Sequence, residues 1–141
     1  MEFSYDHHCF VCGEKNPIGL MVKYADLGNS IIEGSFTPTK NHEGFPGYLH
    51  GGLASTLLDE TMARSLNTLG FHGMTARLEV RFRERIPLEK PVIVTAKLLK
   101  HRKSIVDLES QIRLPDGTVA VEATARFMIV DKMDDPNMSH K

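Results

Sequence analysis

One proline-free stretch, Gly51 to Leu69, most constrains what this chain can fold into. It is rich in Leu, Ala, Met and Thr, and it is followed by Gly70, a residue common just past the end of a helix. The segments on either side show turn residues or an apolar period of two. The sequence therefore predicts one long helix, with the rest of the core built from strands.

The other predicted elements are strands, with turn residues between them. Gly28-Asn29 separates the first two, as in a β-hairpin. In the third, Leu78, Val80 and Phe82 are predicted to point to one face of the sheet. One helix must then cover a mostly antiparallel sheet, which is an α+β layout. The predicted strands are Ile18 to Asp26, Ser30 to Thr37, Arg77 to Arg85, Pro91 to Leu99, Ser104 to Leu114 and Thr118 to Val130.

Composition limits the class of protein. The 141 residues, 41% of them hydrophobic, are typical of one globular domain. A net charge of −1 argues against a general nucleic-acid binder. The sequence has neither an apolar run near the roughly 20 residues of a membrane helix nor the apolar core of a secretory signal. With only two cysteines, we expect a cytoplasmic protein without a disulfide framework.

A helical wheel gives the predicted helix one apolar stripe, with Asp59 at its edge beside Leu66. Partial burial would raise the pKa of this carboxylate and sharpen it as a base or nucleophile. The alternative is a boundary residue that faces solvent. The predicted buried stripe is Ala54, Leu58, Met62, Leu66 and Leu69, and the residues predicted to face water are Glu60, Arg64 and Asn67.

The predicted helix begins at His50-Gly51-Gly52. Free N–H groups at a helix N-terminus can bind an oxyanion, and two glycines let a ligand approach the backbone. The alternative is that the glycines only permit a sharp turn and that His50 is structural. Gly51 and Asp59 are separated by about 12 Å along a helix axis, so one reacting carbonyl cannot touch both. A site that uses both must take them from two subunits.

Several motifs together resemble the hotdog-fold acyl-CoA thioesterases of the phenylacetate-degradation (PaaI) type. The first is His50-Gly51-Gly52 followed by Asp59 on a helix. The loop His42-x-Gly44-x-x-Gly47 and the strand that begins Met74-Thr75-Ala76 look most like members four and five of the mammalian thioesterase superfamily. Cys9-Phe-Val-Cys12-Gly13 also recurs in bacterial members. The resemblance spans about residues 9 to 130.

This resemblance implies a hotdog fold, in which an antiparallel sheet of five or six strands wraps one long central helix. It implies a homodimer, which can pair again to a homotetramer, and hydrolysis of an acyl-CoA thioester to a free acid and CoA. No cofactor is implied, because CoA is part of the substrate, and neither nucleic acid nor a membrane is expected as a partner. Residues 1–17 would be an N-terminal extension, 18–131 the hotdog domain and 132–141 a flexible tail.

The resemblance also implies catalytic roles for individual residues. Asp59 matches the family's catalytic carboxylate, which acts as a general base on water or as a nucleophile. Gly51 matches the residue whose N–H polarises the thioester carbonyl from the partner subunit. Thr75 matches a threonine that assists or orients the water. His50 would help to position the thioester, and Gly52 is a further expected substrate contact.

Two loops carry expectations about substrate binding. Arg102 and Lys103 resemble the family's segment near the nucleotide of CoA, although a solvated hairpin end is an equal alternative. Gly44 departs from the Asn or Gln that many relatives have at this position, so that Asn41 or His42 could supply the polar contact instead.

Cys9-x-x-Cys12 with His7 and His8 resembles half of a zinc site. Three ligands and a cramped fourth favour no metal, and a redox pair is disfavoured because Gly13, rather than a helix, follows the second cysteine. We expect buried or loop cysteines in a segment that packs over the core.

The main alternative function is a hotdog module that binds acyl-CoA as a regulatory ligand without hydrolysing it. Such a module would need a groove for CoA but would not need Asp59.

Overall fold

The computed structural model describes residues 3–133, which form one α-helix on one six-stranded sheet. All neighbouring strands are antiparallel, in the order β1-β2-β4-β5-β6-β3. The predicted α+β layout is therefore confirmed. The elements are β1 (Lys23–Asp26), β2 (Ile32–Phe36), a 3₁₀ turn (Lys40–His42), α1 (Gly51–Asn67), β3 (Phe71–Phe82), β4 (Val92–Arg102), β5 (Ile105–Arg113) and β6 (Val119–Lys132). No helix within residues 3–133 is long and apolar enough to cross a membrane.

The core lies between α1 and the inner face of the sheet. The helix contacts β2 through β6, and its predicted stripe is buried, with Leu58, Met62 and Leu66 fully inaccessible. Alternate residues of the central strands meet it, as the two-residue period of a strand requires. On β6 these include the small side chains of Ala123 and Ala125. The inner-face residues of β4 and β5 are Val92, Val94, Ala96, Val106, Leu108, Ser110 and Ile112.

The polar side of α1 is also buried, contrary to the sequence prediction. Arg64 and Asn67 are each 2% exposed, and the Glu60 side chain is 13% exposed. The helical wheel predicted that this side of α1 faces solvent because the prediction assumed that only the sheet packs against the helix. Residues 3–22 cover Glu60 and Arg64: the Phe3 ring lies 5.9 Å from the Arg64 guanidinium carbon, and the Cys12 thiol lies 3.6 Å from the Glu60 Oε2. The Asn67 side chain donates instead to the Phe71 carbonyl at 2.9 Å.

Element ends differ from the predicted ones for local reasons. α1 ends at Asn67, so Leu69 lies in the following turn and is half-buried, and Gly70 adopts a positive φ of 88°. β3 begins at Phe71, well before Arg77. Its Phe82 is 57% exposed, whereas Leu78 and Val80 are half-buried against the core, because Phe82 lies at the end of an edge strand. Of the predicted tail, Lys132 ends β6, and residues 134–141 lie outside the described residues.

Candidate active site

Asp59 lies in the middle of α1, where it faces β3. It is half-buried, and the Thr75 hydroxyl donates a hydrogen bond of 2.7 Å to its Oδ1. Thr75 pairs with Phe127 of β6, and the register shifts immediately afterwards, so that Ala76 bulges out of the ladder. Bulges of this kind re-aim neighbouring side chains. The fold therefore brings together two of the residues selected from the sequence.

The environment of Asp59 raises the pKa of its carboxyl group. Burial is the main cause, the hydrogen bond from Thr75 opposes it, and the negative charge of Glu60 adds to it. The net direction is the one that the position at the stripe edge predicted. A carboxylate poised in this way is a stronger base than an exposed aspartate but still has one stabilising donor.

The start of α1 presents one open backbone donor. His50 is the N-cap, and its Nδ1 accepts a hydrogen bond of 2.9 Å from the Gly52 N–H. Within residues 3–133 the Gly51 N–H has no acceptor, and Gly51 is exposed. A Cβ at Gly51 would lie 3.4 Å from the Phe82 ring, an ordinary contact distance. The donor suited to an oxyanion is therefore Gly51 rather than Gly52.

Within one chain these two groups of residues stay apart. Asp59, which accepts the hydrogen bond from Thr75, lies about 12 Å, or roughly two helical turns, from the Gly51 N–H along α1. A hydrogen bond to a developing oxyanion requires about 3 Å, so the carboxylate and this donor cannot serve one carbonyl from the same subunit. The separation of Asp59 from the Gly51 N–H along α1 is the one expected from the sequence.

The loop before α1 explains the glycine at position 44. A Cβ there would lie 2.8 Å from the His50 Cα, so Asn or Gln would push the N-cap away from its position. The His42 ring accepts a hydrogen bond of 2.9 Å from the Thr39 N–H, and His42 closes the 3₁₀ turn. Asn41 is exposed. The Nδ1 atom of His42 thus has a structural partner within the loop, and the polar contact expected from Asn41 or His42 stays a prediction.

Arg85 contacts two aromatic residues of the loop before α1. Its guanidinium lies 4.7 Å from the Phe45 ring and 5.2 Å from the Tyr48 ring. Cation–π contacts of this kind stabilise a loop that has no regular secondary structure. The Leu49 N–H also donates to the Ile86 carbonyl, which ties the helix entry to the segment after β3. The sequence shows Phe45, Tyr48 and Arg85, but it does not show that the fold brings the three side chains together.

Arg102 and Lys103 lie at the hairpin between β4 and β5, away from Asp59. The turn places Lys103 at a positive φ of 53°. Arg102 lines a shallow pocket with Lys100 and with the ion-paired Asp107 and Arg126 on the outer face of the sheet. β4, which carries Arg102, is three strands from β3, which carries Thr75, or about 14 Å at the usual strand spacing. On the outer face at this distance, Arg102 is not placed to contact a thioester held by Asp59 of the same chain.

A second cluster of polar residues lies on the other side of α1. The thiols of Cys9 and Cys12 each lie 3.6 Å from the Glu60 Oε2. The pKa of the Cys12 thiol is well above its usual range because of the hydrogen bond with Cys9, burial and the charge of Glu60. Such a thiol stays protonated at neutral pH, unlike a reactive redox cysteine. The expected packing of both cysteines over the core is confirmed.

One long helix packed on a six-stranded antiparallel sheet, with a half-buried carboxylate in mid-helix, defines a hotdog-fold domain with an enzyme-like site. The model of the thioesterase superfamily matches residues 46–121, which include Gly51, Asp59 and Thr75. The chain belongs to the thioesterase superfamily.

Proteins that are similar to this chain agree with this assignment. Acyl-coenzyme A thioesterase THEM4 of Mus musculus is 32% identical over 118 residues, covering 80% of this chain and 50% of THEM4. A thioesterase superfamily protein of known crystal structure is 31% identical with a TM-score of 0.82, covering 86% of this chain and 63% of that chain. The PaaI protein of E. coli has a TM-score of 0.77 at 14% identity, covering 81% and 83%. The resemblance to hotdog-fold proteins of the PaaI type is confirmed.

Proposed function

We propose that this chain hydrolyses an acyl-CoA thioester to a free acid and CoA, with Asp59 as the catalytic carboxylate. The observation that carries this proposal is the half-buried Asp59 held by Thr75 at 2.7 Å, at a position inside the matched superfamily region. The chain spans about half the length of the curated relatives it matches, among them the acyl-coenzyme A thioesterase THEM4 of mouse. The name of that relative supports acyl-CoA as the substrate class.

Asp59 can act in either of two ways. As a general base it takes a proton from water, and the resulting hydroxide attacks the thioester carbonyl. As a nucleophile it attacks the carbonyl itself, and water then hydrolyses the mixed anhydride. In both routes the C–S bond breaks and the CoA sulfur leaves as thiolate, which takes up a proton. Thr75 occupies one oxygen of Asp59, and within residues 3–133 the other oxygen has no hydrogen-bond donor, so it is available to water or substrate.

A homodimer would complete the site. β3 is an edge strand of twelve residues, with Met74 58% exposed and Phe82 57% exposed. A long exposed edge invites pairing with another strand. A two-fold axis between Leu78 and Glu79 would pair β3 with its own copy and place Thr75 opposite Phe82 of the partner subunit. Pairing of two such dimers would give a homotetramer.

This pairing would also supply the oxyanion donor. Phe82 lies against Gly51 within one chain, so a partner's Phe82 beside Thr75 brings the partner's Gly51 N–H toward Asp59. A backbone N–H aimed at the carbonyl oxygen stabilises the negative charge that develops on it. His50 holds this end of α1 through Gly52 and keeps Nε2 as the protonated ring nitrogen for the substrate.

Arg102 and Lys103 are proposed contacts for the phosphates of CoA. Their charges suit phosphate groups. Since Arg102 lies on the outer sheet face, about 14 Å from Thr75, it would contact the distant nucleotide end of CoA and not the thioester.

The test is CoA release from a panel of acetyl-, hexanoyl-, palmitoyl-, phenylacetyl- and hydroxybenzoyl-CoA, with wild type beside Asp59→Asn. Loss of thioester absorbance avoids thiol reagents that would react with Cys9 and Cys12. We expect Asp59→Asn to lower turnover about 10²- to 10⁴-fold. Glu109→Gln is the matched control, because Glu109 is paired with Lys97 on the outer face of the sheet.

Each outcome has a distinct meaning. A collapse in Asp59→Asn alone would support the thioesterase and identify its acyl class. Saturable acyl-CoA binding without turnover in wild type would replace the enzyme with the regulatory binding module. Equal turnover in Asp59→Asn and wild type would remove Asp59 from the mechanism.

A further inference from the structure

Residues 3–22 fold against the polar side of α1 through a tight turn at the two cysteines. The Gly13 N–H donates to the Cys9 carbonyl at 2.9 Å. A Cβ at Gly13 would lie 2.4 Å from both the Cys9 N and the His7 O, so only glycine lets the chain fold back this closely. The turn points both thiols at one residue of α1, Glu60.

The three side chains are spaced like the ligands of one metal ion. One ligand atom from each of Cys9, Cys12 and Glu60 lies within 4.8 Å of the other two, and each sulfur lies 3.6 Å from the Glu60 Oε2. Zinc–sulfur and zinc–oxygen bonds of about 2.3 and 2.1 Å at tetrahedral angles separate sulfur from oxygen ligands by about 3.6 Å. The observed sulfur–oxygen distances already match this geometry.

The charges around the cluster also suit a divalent cation. Once an ion has displaced both thiol protons, the two thiolates and the Glu60 carboxylate would carry three negative charges, and the buried Arg64, 3.3 Å from Glu60, carries one positive charge. A divalent ion brings the sum to zero, and a neutral sum is what a buried site favours. Two thiolate sulfurs and one carboxylate oxygen favour zinc over harder cations such as magnesium or calcium.

We propose that Cys9, Cys12 and Glu60 bind one zinc ion, with water as the fourth ligand. Binding would replace the two thiol protons with two zinc–sulfur bonds and release both protons to solvent, without oxidation or reduction. Cys9 is half-buried, which leaves a path for the ion and for the water. Sequence reasoning could not complete this ligand set, because Glu60 is some fifty residues away from the cysteines and was expected to face water.

The ion would link the N-terminal segment to the central helix. Cys9 and Cys12 belong to residues 3–22, whereas Glu60 lies on α1 next to Asp59. Because the ligands come from both parts, the binding free energy adds to the free energy of unfolding. Zinc at this position would therefore have a structural role, which stability measurements can detect without any assay of thioester hydrolysis.

The experiment uses the full chain, kept reduced, stripped with a chelator and then dialysed against zinc chloride. Elemental analysis should find one zinc per chain, and cobalt(II) in its place should give the near-ultraviolet absorption of sulfur-to-cobalt charge transfer. Cys9→Ser should lower zinc affinity at least tenfold and remove that absorption. Glu60→Gln should also lower zinc affinity at least tenfold. Zinc should raise the Tm of wild type and leave the Tm of Cys9→Ser unchanged.

Two controls make the result specific. Asp59→Asn changes the neighbouring carboxylate of α1 and should bind zinc as wild type does. His8→Ala should also bind normally, because the proposed set contains no histidine. Less than a tenth of a zinc per wild-type chain would overturn the proposal. So would unchanged affinity in a folded Cys9→Ser protein, or loss of binding in His8→Ala. Since none of these readouts involves thioester hydrolysis, they are independent of the proposed activity.

Discussion

Asp59 is under opposing influences from its immediate neighbours. Burial and the charge of Glu60 raise the pKa of its carboxyl group, whereas the hydrogen bond from Thr75 lowers it. A general base or nucleophile works only when it is ionised. The reaction should therefore lose rate, as the pH falls, at a higher pH than it would with an ordinary aspartate. In the proposed mechanism, the burial of Asp59 would set the acid side of the pH profile.

The first prediction concerns Thr75→Val, which removes the hydroxyl and approximately keeps the side-chain shape. Without the donor to Oδ1, the charged form of Asp59 is less stable, so its pKa rises further. The acid limb of kcat/KM against pH should move to higher pH, because this profile reports the free enzyme.

Thr75→Ser is the matched control, since it keeps the hydroxyl and should leave the acid limb near its wild-type position. If Thr75→Val folds but its acid limb of kcat/KM against pH stays at the wild-type position, Thr75 does not act through the ionisation of Asp59. In that case its role would be restricted to holding the water.

At the scale of the helix, His50 is both the N-cap of α1 and a residue of the proposed active site. The His50 Nδ1 accepts from the Gly52 N–H, which fixes the first turn of α1 and with it the direction of the Gly51 N–H. This arrangement leaves Nε2 as the donor nitrogen on an exposed ring. His50 therefore has two separable roles, as a cap and as a proposed substrate contact.

The second prediction separates these roles. His50→Ala should lower the free energy of unfolding by about 1 kcal/mol through loss of the cap, measured by urea denaturation. His50→Asn supplies another capping oxygen and should recover that stability. It lacks the Nε2 donor, however, so its kcat/KM should remain about tenfold below wild type, which is the effect of one lost hydrogen bond. Full recovery of kcat/KM in His50→Asn would make His50 a cap alone.

The sequence predicted the elements well because their signals are local. The absence of proline and the stop at Gly70 located α1, and the change to a period of two located the later strands. It failed where a distant segment packs on an element. A helical wheel places Glu60 and Arg64 on the polar side of α1, but it contains no information that residues 3–22 will cover them.

Prediction of side-chain direction near the site was limited in the same way, because it depends on contacts with distant segments. Asp59 was predicted from its place on the wheel, and the resemblance supplied Thr75. Strict alternation along β4 would put Arg102 on the inner face with Val94, Ala96 and Leu98. A register shift between Leu98 and Lys100 reverses the alternation and turns Arg102 outward. A bulge depends on the partner strand, so one strand's sequence does not reveal it.

At the scale of the whole molecule, the proposed site is incomplete in one subunit. Asp59 and Thr75 lie toward the start of β3, and Gly51 lies against Phe82 at its end. Antiparallel pairing of β3 with its own copy would bring opposite ends together, so each dimer would have two equivalent sites. Each site would take its carboxylate from one chain and its oxyanion donor from the other.

The last prediction tests this arrangement with mixed subunits. Gly51→Pro removes the N–H and should preserve the helix, because proline is well tolerated at the first helical position and His50 already has the extended backbone that precedes a proline. Asp59→Asn and Gly51→Pro chains should each be nearly inactive alone. After unfolding and refolding together, hybrids should contain one site with both groups intact, so random mixing should restore about one quarter of wild-type turnover.

Gly51→Ala serves as the control for Gly51→Pro, since it keeps the N–H and its Cβ would meet only the Phe82 ring at 3.4 Å. It should retain most of the activity, which would attribute the loss in Gly51→Pro to the missing donor. If a site used Asp59 and Gly51 of the same chain, every site in a hybrid would carry one defect. Hybrids that form, as native mass spectrometry would show, but recover no turnover would therefore rule out the shared site. Recovery near one quarter requires that the two groups meet across the interface, which is the consequence of their separation by two helical turns.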